Sequence, residues 1–248
     1  MRILNVLILI IPSLLMCQEF SFDVNTNEGF IESVYILDGN RVIKISESID
    51  EIYQFKSSSR AKDFLQNRDY SSIPKNKYQV GETTIFMNSV SSVEYYTSNT
   101  SSGLSGQIKS INNLTFTYAP DNSWNKNSGV VGKLTKIGNV SITYWTSAGY
   151  TERGRYRGKI KSLGGRQFQY EGWSNWGEKA RIVGKLTSIG KLKINYYETD
   201  YDRGYKGKLK SIGKVKFVYY GETRTNSKAN IVGKFKQRLG KDLRLTIH

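Results

Sequence analysis

The sequence predicts an all-β protein, an antiparallel meander of β-hairpin repeats of about 26 residues. Three observations predict it: a unit copied along the chain, an alternation of side chains within each unit, and a glycine or asparagine in the middle of the unit. The leading glycines of six copies stand at positions 106, 132, 158, 184, 207 and 233. Their spacings of 26, 26, 26, 23 and 26 residues are regular enough to indicate a repeat array.

The alternation within a unit is typical of two strands. In the copy that begins at Gly207, apolar and small residues alternate with lysines on both sides of Gly213. Folding the two halves about Gly213 with an odd-length turn places Leu209 opposite Phe217 and gathers the apolar residues on one face. A two-residue turn would place Leu209 opposite Lys216 and mix the faces, so we expect the odd-length turn.

The middle position of the unit is predicted to be a structural turn. It is occupied by Asn112, Gly138, Gly164, Gly190 and Gly213. Glycine and asparagine tolerate positive φ better than other residues, so a left-handed backbone is expected there. For the leading glycine two explanations are open: the tyrosine ring at the end of the second strand covers its backbone, or it forms a β-bulge.

Six units supply about twelve strands, which is more than an open twisted sheet usually holds without curling. We therefore expect a curled sheet, a solenoid or a barrel-like closure. The copy that begins at Gly233 departs from the pattern, as terminal repeats that cap an array often do.

The chain divides into three segments by composition. Residues 1–17 are expected to be a signal peptide, 18–102 an N-terminal β-rich region, and 103–248 the domain of six hairpin copies. Within the N-terminal region, Asp38 and Gly39 indicate a hairpin turn, and a short helix capped by Ser59 is expected.

The first seventeen residues indicate export. A basic residue, a run of about a dozen apolar residues and a small residue are typical of a secretory signal, and the run is short for a membrane span. Cleavage after Cys17 gives a secreted or periplasmic chain that begins at Gln18. Alternatively, Cys17 is lipidated and the protein is an outer-membrane-associated lipoprotein, or the segment is a buried N-terminal helix.

Composition excludes several functional classes. The only histidine is His248, which excludes mechanisms that need an internal imidazole, and one cysteine excludes a disulfide framework or a thiolate-rich zinc site. No catalytic residue, metal or cofactor is predicted.

The basic charge of the chain belongs to the repeats. Residues 1–100 hold 9 Lys and Arg against 12 Asp and Glu, a balance of −3, whereas residues 101–248 hold 28 against 9, a balance of +19. The alternation predicts that lysines of successive strands share one face of the sheet. The predicted polyanion-binding residues are Lys185, Lys191, Lys193, Lys208, Lys210, Lys214 and Lys216. The expected partners are an anionic glycan, lipopolysaccharide or nucleic acid; a face that only keeps the strands soluble is the competing interpretation.

Two other functional classes remain open. An outer-membrane β-barrel also has one apolar and one polar face, although strands of about seven residues are short for a span of roughly nine to eleven. A carbohydrate-active enzyme would use a pair of carboxylates from the linkers between hairpins, without a spacing that singles out a pair. The linker carboxylates are Asp121, Glu152, Glu171, Glu178, Glu198, Asp200, Asp202 and Glu222.

The unit G-K-[LI]-[KT]-[SK]-[IL]-G-x-[VL]-x-[IF]-x-Y resembles that of uncharacterised secreted β-repeat proteins of Bacteroidetes, over roughly residues 106–219. The resemblance implies export and a β-repeat architecture, and it carries no known activity. Together with the charge, it leads us to expect an exported, non-catalytic binding or scaffold protein of the cell envelope or exterior.

Overall fold

The computed structural model describes residues 19–97, 103–146, 157–172, 181–198, 204–240 and 244–247. The fold class predicted from the sequence is confirmed: the described chain is mostly β and forms hairpin meanders. Nineteen strands lie in two sheets, of seven and twelve strands. The expected signal peptide lies outside the described residues.

The seven-stranded sheet is built mainly from the N-terminal region. Its strands are β1 (Phe20–Asn25), β2 (Phe30–Asp38), β3 (Arg41–Ile45), β4 (Ile49–Gln54), β5 (Asn76–Val80), β6 (Thr83–Met87) and β19 (Arg244–Ile247). They are ordered β19-β1-β2-β3-β4-β6-β5, with β19 parallel to β1 and β6 parallel to β4. The expected short helix is α1 (Ser58–Asn67), although its cap is Ser57, whose side chain accepts from the Arg60 N–H.

The twelve-stranded sheet, which we call the repeat sheet, contains β7 (Val93–Tyr95) and the strands of the repeats in chain order. The repeat strands are β8 (Ile108–Ile111), β9 (Leu114–Tyr118), β10 (Leu134–Ile137), β11 (Val140–Tyr144), β12 (Ile160–Leu163), β13 (Arg166–Tyr170), β14 (Leu186–Ile189), β15 (Leu192–Tyr196), β16 (Leu209–Ile212), β17 (Val215–Tyr219) and β18 (Phe235–Leu239). Two short helices, α2 (Ser123–Ser128) and α3 (Arg224–Lys228), lie between hairpins.

The repeat sheet is open within the part of the chain that the structure describes. It begins at β7 and ends at β18, so the barrel-like closure among our expectations is not found. The copy that begins at Gly233 does not form a complete hairpin: β18 pairs with β17, whereas β19 joins the other sheet beside β1. The twelve strands are therefore five hairpins with one further strand at each end.

The two sheets pack face to face around one core. Buried residues of the seven-stranded sheet, such as Phe22 and Ile43, share a hydrophobic cluster with Phe168 and Phe217 of the repeat sheet. The other face of the seven-stranded sheet packs against α1 through a second cluster. The described residues thus form three layers, and none of their elements covers the other face of the repeat sheet.

Hydrogen bonds and ion pairs fix the repeat sheet against its partner at the strand ends. The Leu209 N–H donates to the Gly29 carbonyl at 2.7 Å. Arg166 pairs with Glu19 at 2.6 Å, and Lys159 pairs with Glu47 at 3.2 Å. These contacts join the β12–β13 and β16–β17 hairpins to the N-terminal region.

The turn of each repeat has two residues, so the predicted odd-length turn is wrong. Ile212 pairs with Val215, and Ser211 pairs with Lys216. The same register, with two residues between the paired ones, is found in the other four hairpins.

A β-bulge explains how this register keeps one apolar face. Against the preceding strand, Ser211 pairs with Asn195, but the next pair is Leu209 with Tyr196, so Lys210 is the extra residue. A bulge shifts the alternation by one, which returns Leu209 to the buried face. The prediction failed because it assumed strict alternation along the first strand. The bulge recurs at Lys109, Thr135, Lys161, Thr187, Lys210 and Lys236.

The expected positive φ is found at the turn. It is 53° at Asn112, 58° at Gly138 and 55° at Gly164, Gly190 and Gly213. The leading glycine also has positive φ, between 75° and 84°, in all six copies.

Neither of the two explanations offered for the leading glycine holds. It precedes the first strand, as the third residue of a β-turn in which, for example, the Lys208 N–H donates to the Tyr205 carbonyl at 3.0 Å. A turn with positive φ at its third residue requires glycine or asparagine there, and the bulge lies three residues later.

Replacing Gly190 by valine should lower the free energy of unfolding by about 1–3 kcal/mol, because a β-branched side chain is strained at positive φ. A Cβ at Gly190 meets no atom within 4 Å, so the loss measures backbone strain rather than a clash. Gly190→Asn is the matched control and should lose less than half as much, since Asn112 already holds this position. Urea unfolding of the three proteins tests this; equal stability of the valine variant and the parent would contradict it.

Candidate functional site

The candidate site is the outer face of the repeat sheet, by which we mean the side chains that point away from the seven-stranded sheet. The register fixes its members, because cross-strand partners share a face. They are Glu94, Ser110, Thr115, Thr117, Lys136, Ser141, Thr143, Ser162, Gln167, Gln169, Ser188, Lys193, Asn195, Ser211, Lys216, Val218, Gln237 and Leu239. Val218 and Leu239 are apolar and Glu94, at the edge of the sheet, is acidic; the others are neutral polar or basic.

Charge on the repeat strands has one sign. Strands β8 to β18 contain nine Lys or Arg residues and no Asp or Glu. The nearest strand carboxylate is that of Glu94 on β7, at the sheet edge, 4.0 Å from Lys109. The outer face therefore has a positive potential that grows toward β18, where β15 to β18 each carry an exposed lysine: Lys193, Lys210, Lys216 and Lys236.

Five of the seven lysines predicted to bind a polyanion are exposed on or beside this face. Lys193 and Lys216 belong to the outer face itself. Lys191 and Lys214 are the second residues of the two-residue turns, and Lys210 is the bulge residue of its unit. All five are exposed.

The other two, Lys185 and Lys208, do not point the way that alternation predicts. The Lys185 ammonium donates to the Gly207 carbonyl at 2.6 Å and lies 5.2 Å from the centre of the Tyr196 ring. The Lys208 ammonium donates to the carbonyls of Gly233, at 2.6 Å, and Asn27, at 2.5 Å. Both lie just before the bulge, where the simple alternation no longer applies.

These contacts form a ladder that runs through the repeats. In four of the six units, the lysine after the leading glycine lies over the tyrosine ring of its own unit and donates to the leading glycine carbonyl of the next unit. The ladder lysines are Lys133, Lys159, Lys185 and Lys208, with ring distances of 5.6, 5.4, 5.2 and 5.3 Å to Tyr144, Tyr170, Tyr196 and Tyr219. Cation–π contact and a charge-assisted hydrogen bond both stabilise the junction between units. These lysines hold the sheet together.

Burial shifts the ionisation of the ladder groups. Loss of solvent lowers the pKa of Lys185, and the neighbouring charge of Lys208 lowers it further. Burial raises the pKa of Tyr196 well above its usual value, so its hydroxyl stays protonated and donates to the Leu186 carbonyl at 2.9 Å.

A second set of lysines stacks on aromatic residues at the margin of the outer face. The bulge residues Lys161 and Lys210 lie 4.8 and 5.4 Å from the ring centres of Trp145 and Tyr197, and Lys236 lies 5.5 Å from that of Tyr220. Each ring belongs to the residue that follows the tyrosine of the preceding unit.

The sequence contains a signal for this pairing of bulge lysines with aromatic residues, which our prediction of the site did not use. Where the residue after the unit tyrosine is Ala119 or Glu171, the next bulge residue is Thr135 or Thr187 rather than lysine. Lysine and aromatic residue therefore vary together along the array. The bulge lysines are held by their rings yet remain exposed.

The linker carboxylates proposed for the enzymatic alternative are only partly described. Asp121 forms an ion pair with Lys126 at 2.8 Å, and Glu222 is exposed. Glu152, Glu178, Asp200 and Asp202 lie outside the described residues. Among the described helices, none is long and apolar enough to cross a membrane.

Comparison with known proteins adds no functional information: no protein-family model, no curated protein and no solved structure matches this chain.

The ladder tyrosines allow a matched test. Tyr196→Phe removes a buried hydroxyl and leaves the Leu186 carbonyl without its donor, so it should lower the free energy of unfolding by about 1 kcal/mol. Tyr219 has the same ring contact with a lysine, but its buried hydroxyl has no hydrogen-bond partner among the residues that the structure describes. Tyr219→Phe should therefore leave the stability unchanged or raise it. If urea unfolding gives the two variants the same loss, the hydroxyl contacts do not stabilise the array.

Proposed function

We propose that this is an exported, non-catalytic binding or scaffold protein of the cell envelope or exterior whose repeat sheet binds an anionic polymer. An acidic glycan, lipopolysaccharide and nucleic acid all have the required charge. The observation that carries the proposal is the absence of any carboxylate from strands β8 to β18, which hold nine Lys and Arg residues.

The spacing of the lysines supports this function. Adjacent strands lie about 4.8 Å apart, so like charges on neighbouring strands repel unless solvent or an anion lies between them. On β15 to β18, four neighbouring strands each carry an exposed lysine. Interspersed acidic residues would relieve this repulsion, and the strands contain none. An anionic chain lying across them would neutralise several lysines at once.

The ladder separates structural lysines from those that a ligand can reach. The ammonium groups of the ladder lysines already contact glycine carbonyls and tyrosine rings. These lysines are Lys133, Lys159, Lys185 and Lys208. Lys191, Lys193, Lys214 and Lys216 are exposed, and none of them has an ion-pair or ring partner within the described chain. We assign the binding role to this second group.

Replacing Lys191, Lys193, Lys214 and Lys216 together by glutamine should lower affinity for a polyanion by about tenfold or more at 50 mM salt. It should also flatten the dependence of binding on salt, because fewer counterions are released. Binding of polygalacturonate, purified lipopolysaccharide and DNA, each measured at 50 and 200 mM salt, checks this. The unfolding free energy should stay within about 0.5 kcal/mol of the parent value, since the changed side chains are exposed.

The matched control replaces four exposed lysines of the N-terminal region, Lys56, Lys62, Lys75 and Lys77, by glutamine. It changes the net charge equally and should keep most of the affinity. Equal losses in the two variants would show that only total charge matters. If the parent binds no polyanion at 50 mM salt, the lysines serve solubility and the binding function is wrong.

The proposed export predicts the N-terminus of the mature chain. Mass spectrometry of protein from the producing cells should find an N-terminus at or near Gln18, or a lipidated Cys17. Mature protein that retains Met1 would contradict export.

A further inference from the structure

We infer that the anionic polymer is an acidic polysaccharide that lies across the strands of the outer face. This inference rests on the proposed function and names the ligand class of the same site. It depends on the neutral polar side chains of the outer face, which have no part in the binding proposed for the lysines.

The second strands of the hairpins change their outer residues in order along the sheet. The pairs are Thr115 and Thr117 on β9, Ser141 and Thr143 on β11, Gln167 and Gln169 on β13, Lys193 and Asn195 on β15, and Lys216 and Val218 on β17. Hydroxyls thus give way to amides and then to lysines. A ligand that crosses the sheet meets mostly neutral hydrogen-bonding groups at one end, with Lys136 between Thr117 and Ser141, and mostly cations at the other end.

Most of the neutral groups are free to bind a ligand. Thr115, Thr117, Ser141, Gln167 and Gln169 are exposed, and their side chains make no hydrogen bond to another residue in the described chain. Each can both donate and accept. Sugar hydroxyls need donors and acceptors together, whereas a phosphate needs donors only.

In the described part of the chain, the outer face has no stacking platform for nucleic acid bases. Its members include no aromatic residue, and the rings at its margin, Trp145, Tyr197 and Tyr220, each lie under a lysine. Proteins that bind single strands without sequence preference rely on such stacking. A face of twelve strands is also too wide to enter a groove of double-stranded DNA, which admits a helix or a two-stranded ribbon.

Lipopolysaccharide has an anionic headgroup but also acyl chains, which a binding face covers with apolar side chains. Only two of the eighteen members of the outer face are apolar: Val218, which is half-buried, and Leu239, which is exposed at the last strand. The chemistry of the face therefore favours a chain of hydroxyls and carboxylates or sulfates over a lipid.

The width of the face sets the length of the ligand. From β9 to β18 there are nine strand spacings, or about 43 Å at about 4.8 Å each. A longer oligosaccharide crosses more of the outer side chains, whereas a short one reaches only those of a few neighbouring strands. Affinity should therefore rise with chain length and level off once the chain spans about 43 Å.

The test uses polygalacturonate as the acidic polysaccharide, dextran as a neutral one, and single- and double-stranded DNA. Thr117, Gln167 and Gln169 are changed together to alanine, which leaves every lysine in place. This variant should bind polygalacturonate about tenfold more weakly than the parent and bind DNA equally well. The control variant changes Gln66, Ser105 and Asn127, exposed residues off the outer face, and should match the parent on every probe.

The outcomes separate this inference from the proposed function. If the variant binds polygalacturonate as tightly as the parent, or if DNA binds more tightly than polygalacturonate at the same salt, the polysaccharide inference is overturned while polyanion binding stands. If the parent binds none of the anionic probes, both are overturned. Equal binding of dextran and polygalacturonate would also refute an acidic ligand.

Discussion

The structure depends on one extra residue in the first strand of every repeat. A two-residue turn fixes the register of each hairpin, and with strict alternation this register would turn Leu209 toward solvent. The bulge at Lys210 reverses the alternation, so that Leu209 and Ile212 both reach the core while Ser211 faces outward. Because the same bulge recurs in each unit, all hairpins present one apolar face to the same side. The hairpins together therefore form one apolar surface against which the seven-stranded sheet packs.

That common face creates the requirement for a partner. An apolar sheet face must be buried, and here the N-terminal strands bury it. The chain also ties the two sheets together at one end, where β18 ends the repeat sheet and β19 lies parallel to β1. Along the strand ends, the ladder lysines join each unit to the next, and Lys208 also reaches the Asn27 carbonyl of the other sheet. The repeats are therefore held together by the shared core, by backbone hydrogen bonds between strands, and by the row of lysine–tyrosine contacts.

The features that the sequence could predict are those written within one unit. Strand content, the turn position and its positive φ follow from residues less than 15 apart, and the period follows from comparing one unit with the next. The register could not be read in the same way, because a bulge leaves no distinctive residue: Lys210 looks like any other outward lysine. Lys185 and Lys208 were misplaced for the same reason, since their direction depends on the bulge two residues later. The pairing of β19 with β1 joins residues more than 200 apart, and no local pattern records it. The pairing of bulge lysines with aromatic residues was readable, as a correlation between units rather than within one.

The two sets of lysines explain why charge alone is a poor guide to the site. Ladder lysines occupy a fixed position in each unit and contact groups that every unit supplies, a tyrosine ring and a glycine carbonyl. The outer positions contact nothing in the core, so they can change from threonine to glutamine to lysine along the array without disturbing the packing. Different positions of the same unit therefore join the repeats to one another and face the proposed ligand. A ligand that crosses the strands would meet the variable positions in sequence, and the order of side chains along the sheet, rather than the number of lysines, would decide what it binds.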